Sequence, residues 1–180
     1  DAVRSRGLGD VYKRQFENSL EIAREFKKLI FEVEYRKLFK SGRLFSSRLF
    51  FGTFINNNIG ENAYFNFNLN KPNDYLFKYA YFGRSETEGL FSQQFIMNEG
   101  GFKSIIPNTS SDKWILSSNF SMGIWRWVEG YMDFGFLKNT NQNIKSFYDY
   151  GFRLNFLPDY LELYFPVGSS HENSLVEENY

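Results

Sequence analysis

The chain has 180 residues with 21 basic and 21 acidic side chains, so no basic field points to nucleic acid. Cysteine is absent and there is one histidine, which argues against disulfides, thiolate metal sites and histidine-based relays. Aromatic residues make up 21% of the chain, yet the mean hydropathy is −0.46. Apolar residues must therefore be interspersed with polar ones.

The N-terminal segment differs in origin from the rest. Residues 5–15 read, codon by codon, as the translation of a transposase adapter used in sequencing libraries. We therefore predict that residues 1–15 are adapter-derived and disordered, and that residues 16–180 are a domain truncated at its C-terminus. Residues 16–180 carry 17 basic and 19 acidic side chains, a net charge of −2. The natural N-terminus and any signal peptide are expected upstream.

From residue 16 onward, apolar and polar residues alternate with a period of two, which predicts strands. Residues 20–38 also fit the apolar stripe of an amphipathic helix, but the alternation of Glu32, Glu34 and Arg36 favours strands. About ten strands are predicted, at residues 16–23, 29–39, 43–55, 64–70, 75–82, 91–98, 114–124, 128–137, 147–156 and 161–167.

Strands with one apolar and one polar face fit either a soluble sandwich or a transmembrane barrel. Several runs reach the 9–11 residues that cross a bilayer when tilted. Trp114, Trp125 and Trp127 lie near strand ends, as interfacial aromatics do. Long loops alternate with tight turns. The predicted fold is therefore all-β, an antiparallel up-and-down meander β-barrel or part of one.

Five segments carry a family resemblance: Gly83-Arg84-Ser85-Glu86, Gly89-Leu90-Phe91-Ser92-Gln93-Gln94-Phe95, Asn98-Glu99-Gly100-Gly101-Phe102-Lys103-Ser104, Tyr148-Asp149-Tyr150-Gly151-Phe152-Arg153-Leu154 and Asp159-Tyr160-Leu161-Glu162-Leu163-Tyr164-Phe165-Pro166-Val167. They resemble the C-terminal barrel region of membrane-associated zinc metallopeptidases, aminopeptidase-like gluzincins, from Bacteroidota. The resemblance implies a catalytic domain upstream of this sequence and a further strand after Tyr180. The zinc motif of that family needs a second histidine, which is missing after His171-Glu172. No zinc ligand is therefore transferred.

The other candidate sites are better explained by structural roles than by catalysis or ligand binding. Glu32 and Glu34, beside Arg36, have the spacing of a catalytic carboxylate pair. They are better explained as charged residues of a barrel lumen that pair with Arg153 or Lys78 of other strands. The glycines of residues 83–89 and of Glu99-Gly100-Gly101 could suggest phosphate-binding loops. Their spacing matches neither the P-loop nor the dinucleotide-binding motif. We predict no catalytic, cofactor-binding or metal-binding residue in this chain, and no cofactor.

The sequence thus predicts an outer-membrane anchor or insertion module of a Gram-negative bacterium. Its predicted partners are the lipid bilayer and the upstream domain of the same protein, with no nucleic acid. Two alternatives stay open. One is a secreted β-sandwich that binds carbohydrate through its three tryptophans, and the other is a small porin-like channel.

Overall fold

In a computed structural model, the strands of the described residues are all antiparallel. The structure describes residues 11–59, 65–70, 99–157 and 161–170. The strands are β1 (Val11–Ile22), β2 (Phe26–Leu38), β3 (Leu44–Asn57), β4 (Phe67–Asn68), β5 (Ser110–Ser111), β6 (Trp114–Trp125), β7 (Val128–Lys138), β8 (Lys145–Leu157) and β9 (Leu161–Ser169).

Seven strands form one sheet in the order β1-β2-β3-β6-β7-β8-β9, and β4 pairs with β5 in a separate two-stranded sheet. Each long strand pairs with the next long strand along the chain, which is the predicted up-and-down meander. The long strands have 9 to 14 residues. They therefore reach the length that a tilted strand needs to cross a bilayer.

The all-β class and the meander are confirmed, whereas closure into a barrel of ten strands stays a prediction. Among the described residues, β1 and β9 are the two edges of the sheet. The predicted strands at 75–82 and 91–98 lie outside the described residues. Strands are also confirmed for residues 20–38, because β1 and β2 occupy most of that range with a register that joins Leu20 to Leu29.

Two expectations are wrong. Residues 64–70 were expected to form a strand of the barrel, but only Phe67–Asn68 pairs, and it pairs with β5. Phe67 and Leu69 are instead completely buried against the sheet, so their alternation with asparagine reflects packing on the sheet. Residues 11–15 were expected to be disordered, but they form the first part of β1 and pair with residues 34–38 of β2.

The two ends of the sheet differ in their connections. At one end, β2 joins β3 through residues 39–43, β6 joins β7 through residues 126–127, and β8 joins β9 through residues 158–160. We call this the short-turn end. At the opposite end, which we call the long-loop end, residues 58–113 separate β3 from β6. At this end β1 also joins β2 through residues 23–25, so tight turns occur at both ends and the predicted alternation of tight turns and long loops holds only in part.

Part of the long connection folds back over one face of the sheet. Residues 65–70 and 99–113, together called the interior segment, carry Phe67, Leu69, Phe102 and Ile106 into a cluster with apolar side chains of β3, β6 and β7. The carbonyl of Leu69 accepts a hydrogen bond of 2.9 Å from the Phe102 N–H, which ties the two parts of the segment together. The main core therefore lies between this segment and the sheet.

Candidate membrane surface and interior ion-pair network

One face of the sheet, the outer face, is apolar and exposed. The strand register brings Phe31, Phe51, Leu116 and Phe136 into one row that crosses four strands. A second row joins Phe120, Met132 and Tyr150. The exposed apolar side chains on this face include Leu29, Phe31, Leu49, Phe120, Met122, Ile124, Met132, Phe134, Phe136, Tyr150, Phe152 and Phe156. A contiguous apolar surface of this extent marks contact with a membrane or a protein.

Charged residues on the outer face of β2 to β9 lie only near strand ends. On β2 the outward positions run from Lys27 through Leu29, Phe31, Val33 and Tyr35 to Lys37, so that a lysine flanks each side of the apolar run. On β7 the charged outward residue is Lys138, the last residue of the strand. The uncharged band between the ends has the pattern of strands that face lipid.

The opposite face, the inner face, is buried; it is apolar near the long-loop end, where Phe50, Ile115 and Leu137 join the core, and polar over the rest of its length. Along β7, Glu129, Tyr131, Asp133 and Gly135 alternate with exposed apolar residues, and all four are buried. On β8 the same position of the alternation is held by Asp149, Gly151, Arg153 and Asn155, which are also buried. An apolar face that is exposed, opposite a face with buried charges, differs from a soluble sandwich, in which the outward face is the polar one.

Asp133 is the centre of the first ion-pair network. Its carboxylate is completely buried and accepts hydrogen bonds of 2.9 and 2.8 Å from the Lys103 ammonium. Asn119 Nδ2 donates a further bond of 2.9 Å to Asp133, and Asn119 Oδ1 accepts one of 3.1 Å from Arg48. Arg48 in turn forms a forked pair with Glu32 at 2.7 and 2.8 Å. The network thus links β2, β3, β6 and β7 to the interior segment.

Asp149 fixes the backbone of the interior segment. Asp149 Oδ2 accepts hydrogen bonds of 2.8 and 2.7 Å from the N–H groups of Lys103 and Ser104. The Lys103 ammonium also lies 5.3 Å from the centre of the Tyr131 ring and 5.4 Å from that of Tyr164. The interior segment is therefore held by charge, by backbone hydrogen bonds and by ring contacts at the same residue.

Arg153 is the centre of the second network, closer to the short-turn end. Its guanidinium donates to Glu129 through two nitrogens, to Glu162 at 3.0 Å and to Ser121 at 3.0 Å. Asn155 Nδ2 also donates to Glu129, at 2.9 Å. Four adjacent strands, β6 to β9, are joined by these contacts. Buried charges of this kind are tolerated because they are paired and hydrogen-bonded.

The structure changes the pairing that was predicted for Glu32, Glu34 and Arg36. Glu32 pairs with Arg48, while Glu34 accepts a bond of 3.4 Å from Arg36 on its own strand. Arg153, the predicted partner, is bonded to other carboxylates, and Lys78 lies outside the described residues. All three predicted side chains do belong to the inner face, as the alternation indicated.

The two glycines of Glu99-Gly100-Gly101 contact other groups of the protein, which leave no space for a ligand beside them. The Gly100 N–H donates to the carbonyl of Asn68 at 3.2 Å, and a Cβ on Gly101 would lie 2.8 Å from Asn119 Oδ1. Glu99 accepts a hydrogen bond of 3.0 Å from the Asn68 N–H. The segment is therefore a packing element of the interior. Residues 83–89 and His171-Glu172 lie outside the described residues.

The three tryptophans do not form one platform. Trp125 and Trp127 flank the β6–β7 turn, whereas Trp114 begins β6 at the other end of the sheet. At roughly 3.3 Å per residue the strand separates the two groups by about 35 Å. Exposed fractions of 68% for Trp125 and 57% for Trp127 place both side chains at the surface.

Sequence reasoning missed most of the interior network. Alternation could have identified Asp133 and Asp149, since both take polar positions between outward aromatic residues. There was no such indication for Lys103, because a residue in a loop has no alternation pattern. The contact between Arg48 and Asn119 could not be predicted either, because it depends on the register of β3 against β6.

Two further features of the described residues concern membrane-spanning helices and metal-binding groups. Within residues 11–59, 65–70, 99–157 and 161–170, no helix has the length and apolar character to cross a membrane. In the same part of the chain, no group of three or more His, Cys, Asp or Glu side chains is placed to hold a metal ion.

Comparison of the chain with protein-family models, with curated proteins and with solved structures finds no match. The family resemblance described above therefore stays a prediction.

Proposed function

We propose that this chain is an outer-membrane β-barrel module that anchors a larger protein in the bilayer of a Gram-negative bacterium. One observation carries the proposal: the outer face of the meander is apolar and exposed, while its charged side chains are paired and buried on the inner face. Strands that cross an outer membrane have this inverted distribution, because lipid solvates the apolar side chains and the polar side chains face inward.

The energetic argument concerns the outer face in water. Moving one large apolar side chain such as Phe134 or Phe152 from water into an apolar environment is worth about 1.5–3 kcal/mol. A dozen such side chains are exposed on the sheet. Each of them is between 37% and 51% exposed, so leaving all of them in water costs roughly 8–15 kcal/mol. This cost is comparable with the whole stability of an ordinary domain, about 5–15 kcal/mol. A hydrocarbon environment removes this cost.

The interior favours an anchor over the small porin-like channel. The interior segment packs Phe67, Leu69 and Phe102 against the inner face, where a channel would need water. Ion pairs of Lys103 and Arg153 take up more of that face. A filled interior suits a module whose role is to hold its host protein in the membrane.

The carbohydrate-binding alternative is weaker because its three tryptophans lie at opposite ends of β6. An upstream domain of the same protein is the cargo that we propose for the anchor. The resemblance to membrane-associated zinc metallopeptidases gives this domain its proposed activity, and the chain itself supplies the membrane attachment.

The proposal is tested by folding the 180-residue chain into vesicles and into detergent micelles. We expect native β circular dichroism and protection from protease to develop only when lipid or detergent is present. A folded monomer with the same dichroism in detergent-free buffer would contradict the proposal.

A pair of arginine variants tests the lipid-facing assignment. Phe152 lies in the middle of the outer face of β8, and Ser146 lies on the same face at the long-loop end. We expect Phe152→Arg to cost about 2–4 kcal/mol of folding free energy in vesicles, against about 0–1 for Ser146→Arg near the interface. Equal costs for the two variants would show that β8 does not cross the hydrocarbon layer.

A further inference from the structure

Two turns at the short-turn end of the sheet each carry an exposed arginine. They are residues 39–43, with Arg43, and residues 126–127, with Arg126. At the long-loop end, by contrast, basic and acidic residues are mixed, with Arg24 beside Glu25 and Lys113 beside Asp112. Among the described connections, the two with a basic and no acidic residue are thus both at the short-turn end.

The described acidic side chains closest to these two turns are engaged on the inner face. Glu129 and Glu162 lie on the strands closest to the turns, and both accept hydrogen bonds from Arg153 on the inner face. Arg43 and Arg126 are exposed to the surroundings. Their charges are therefore available to a ligand outside the protein.

Arg126 occupies a turn that holds two tryptophans in place. Its φ of 43° lies in the left-handed region, which allows the two-residue connection between β6 and β7. The guanidinium carbon lies 5.6 Å from the centre of the Trp125 ring, and the Asn155 N–H donates to the Trp127 carbonyl at 2.8 Å. The turn thus presents a cation between two exposed indoles.

Arg43 lies in the neighbouring turn on the same rim. β3 and β6 are paired up to Phe45 and Met122, and a Cβ on Gly123 would lie 3.6 Å from the Arg43 Cα. The backbone of Arg43 therefore lies beside the end of β6, the strand whose last residue is Trp125. The turns that carry Arg43, Trp125, Arg126 and Trp127 are therefore neighbours on one rim.

We propose that this rim, formed by Arg43, Trp125, Arg126 and Trp127, is a binding surface for the headgroups of anionic phospholipids. Guanidinium groups bind phosphate oxygens through paired hydrogen bonds, and indole rings favour the headgroup level of a bilayer. The combination of both side-chain types on a surface adjoining the apolar band fits a phosphodiester at the membrane interface. The inference rests on the proposed membrane location.

Fluorescence quenching can test the surface directly, because the two ends of β6 carry different tryptophans. Trp114→Phe leaves Trp125 and Trp127 as the only indoles, and Trp125→Phe with Trp127→Phe leaves Trp114 alone. Each protein is folded into phosphatidylcholine vesicles that contain the same small fraction of chain-brominated phosphatidylglycerol or chain-brominated phosphatidylcholine. Bromine quenches an indole only when the lipid is adjacent.

We expect brominated phosphatidylglycerol to quench the Trp114→Phe protein more strongly than brominated phosphatidylcholine does. Adding Arg43→Gln and Arg126→Asn should lower the apparent preference by about fivefold per arginine, the equivalent of about 1 kcal/mol each. Asparagine is chosen because it tolerates the left-handed backbone of this turn. Arg24→Gln with Lys113→Gln, at the opposite end, is the matched control and should leave the preference unchanged.

The outcomes separate this inference from the proposed function. Insertion with equal quenching by both lipids in the Trp114→Phe protein would overturn the headgroup surface and leave the membrane anchor intact. An equal preference at Trp114 would also overturn it, since the charge would then not be localised at the short-turn end. Failure of the protein to insert into any vesicle would overturn both.

Discussion

Asp133 and Asp149 lie directly opposite each other on β7 and β8, and both carboxyl groups are completely buried. Two like groups at such a position destabilise a sheet unless other groups compensate them. The compensation comes from Lys103 and Ser104, whose ammonium and backbone N–H groups reach both carboxyl groups. The interior segment is therefore part of the electrostatic balance of the sheet.

Lys103 supplies the positive charge of that balance. We expect Lys103→Met to lower the free energy of unfolding by about 3–5 kcal/mol, because removing one partner of a buried ion pair leaves a buried carboxylate without compensation. The measurement is urea unfolding in detergent micelles. Lys113→Met, at an exposed position of the same segment, is the control and should change stability by less than about 0.5 kcal/mol. A similar midpoint for both variants would refute the role of Lys103.

Arg153 holds the second network through the forked shape of its guanidinium. Arg153→Leu is expected to cost about 3–5 kcal/mol, since Glu129 and Glu162 lose their buried cation. Arg153→Lys keeps the charge but lacks the planar fork, so its loss should be intermediate. Unfolding midpoints of the three proteins give this order. If the lysine variant equalled the wild type, charge alone would account for the network.

Gly135 permits the interior segment to approach β7. A Cβ at this position would lie 2.8 Å from the Leu69 side chain and 2.9 Å from the Phe102 ring. Gly135→Val is therefore expected to destabilise the protein by about 1–3 kcal/mol through overpacking.

Gly130 offers a control on the same strand but on the outer face, where a Cβ meets only the end of the Ile124 side chain at 3.3 Å. Gly130→Val should cost less than Gly135→Val in micelles, as measured by thermal unfolding. The reverse order would mean that the inner and outer faces have been exchanged.

Neighbouring residues of β6 give the sharpest test of which face is which. Asn119 makes three hydrogen bonds on the inner face, to Arg48, Gly100 and Asp133. Asn119→Leu removes all three, and we expect a loss of at least about 2 kcal/mol from the polar groups left unsatisfied.

Ser118, the preceding residue, lies on the outer face between Leu49 and Phe134. Ser118→Leu adds apolar surface at a position that the proposed function assigns to lipid, so its stability in vesicles should equal or exceed that of the wild type. Urea titration of both variants in vesicles makes the comparison. A larger loss for Ser118→Leu would contradict the assignment of the outer face to lipid.

Much of the fold could be predicted because alternation is a local property of a strand. Seven of the predicted ranges correspond to the long strands, and the inward side of Glu32 and Arg153 followed from the same pattern. The prediction failed at Phe67 and Leu69, which alternate with asparagine but pack on the sheet as part of a loop. A period of two does not distinguish a strand within a sheet from an extended segment lying across it.

The sequence by itself determined the strands, their amphipathic faces and the positions of the turns, because these depend on residues close together in the chain. Only the tertiary structure decided that the polar face is the buried one, since alternation is the same for a sandwich and for a membrane barrel. It also decided that Lys103 reaches Asp133 and that Arg48 pairs with Glu32. Those partners come together through strand register and through the return of the long connection over the inner face, and neither is encoded in local spacing.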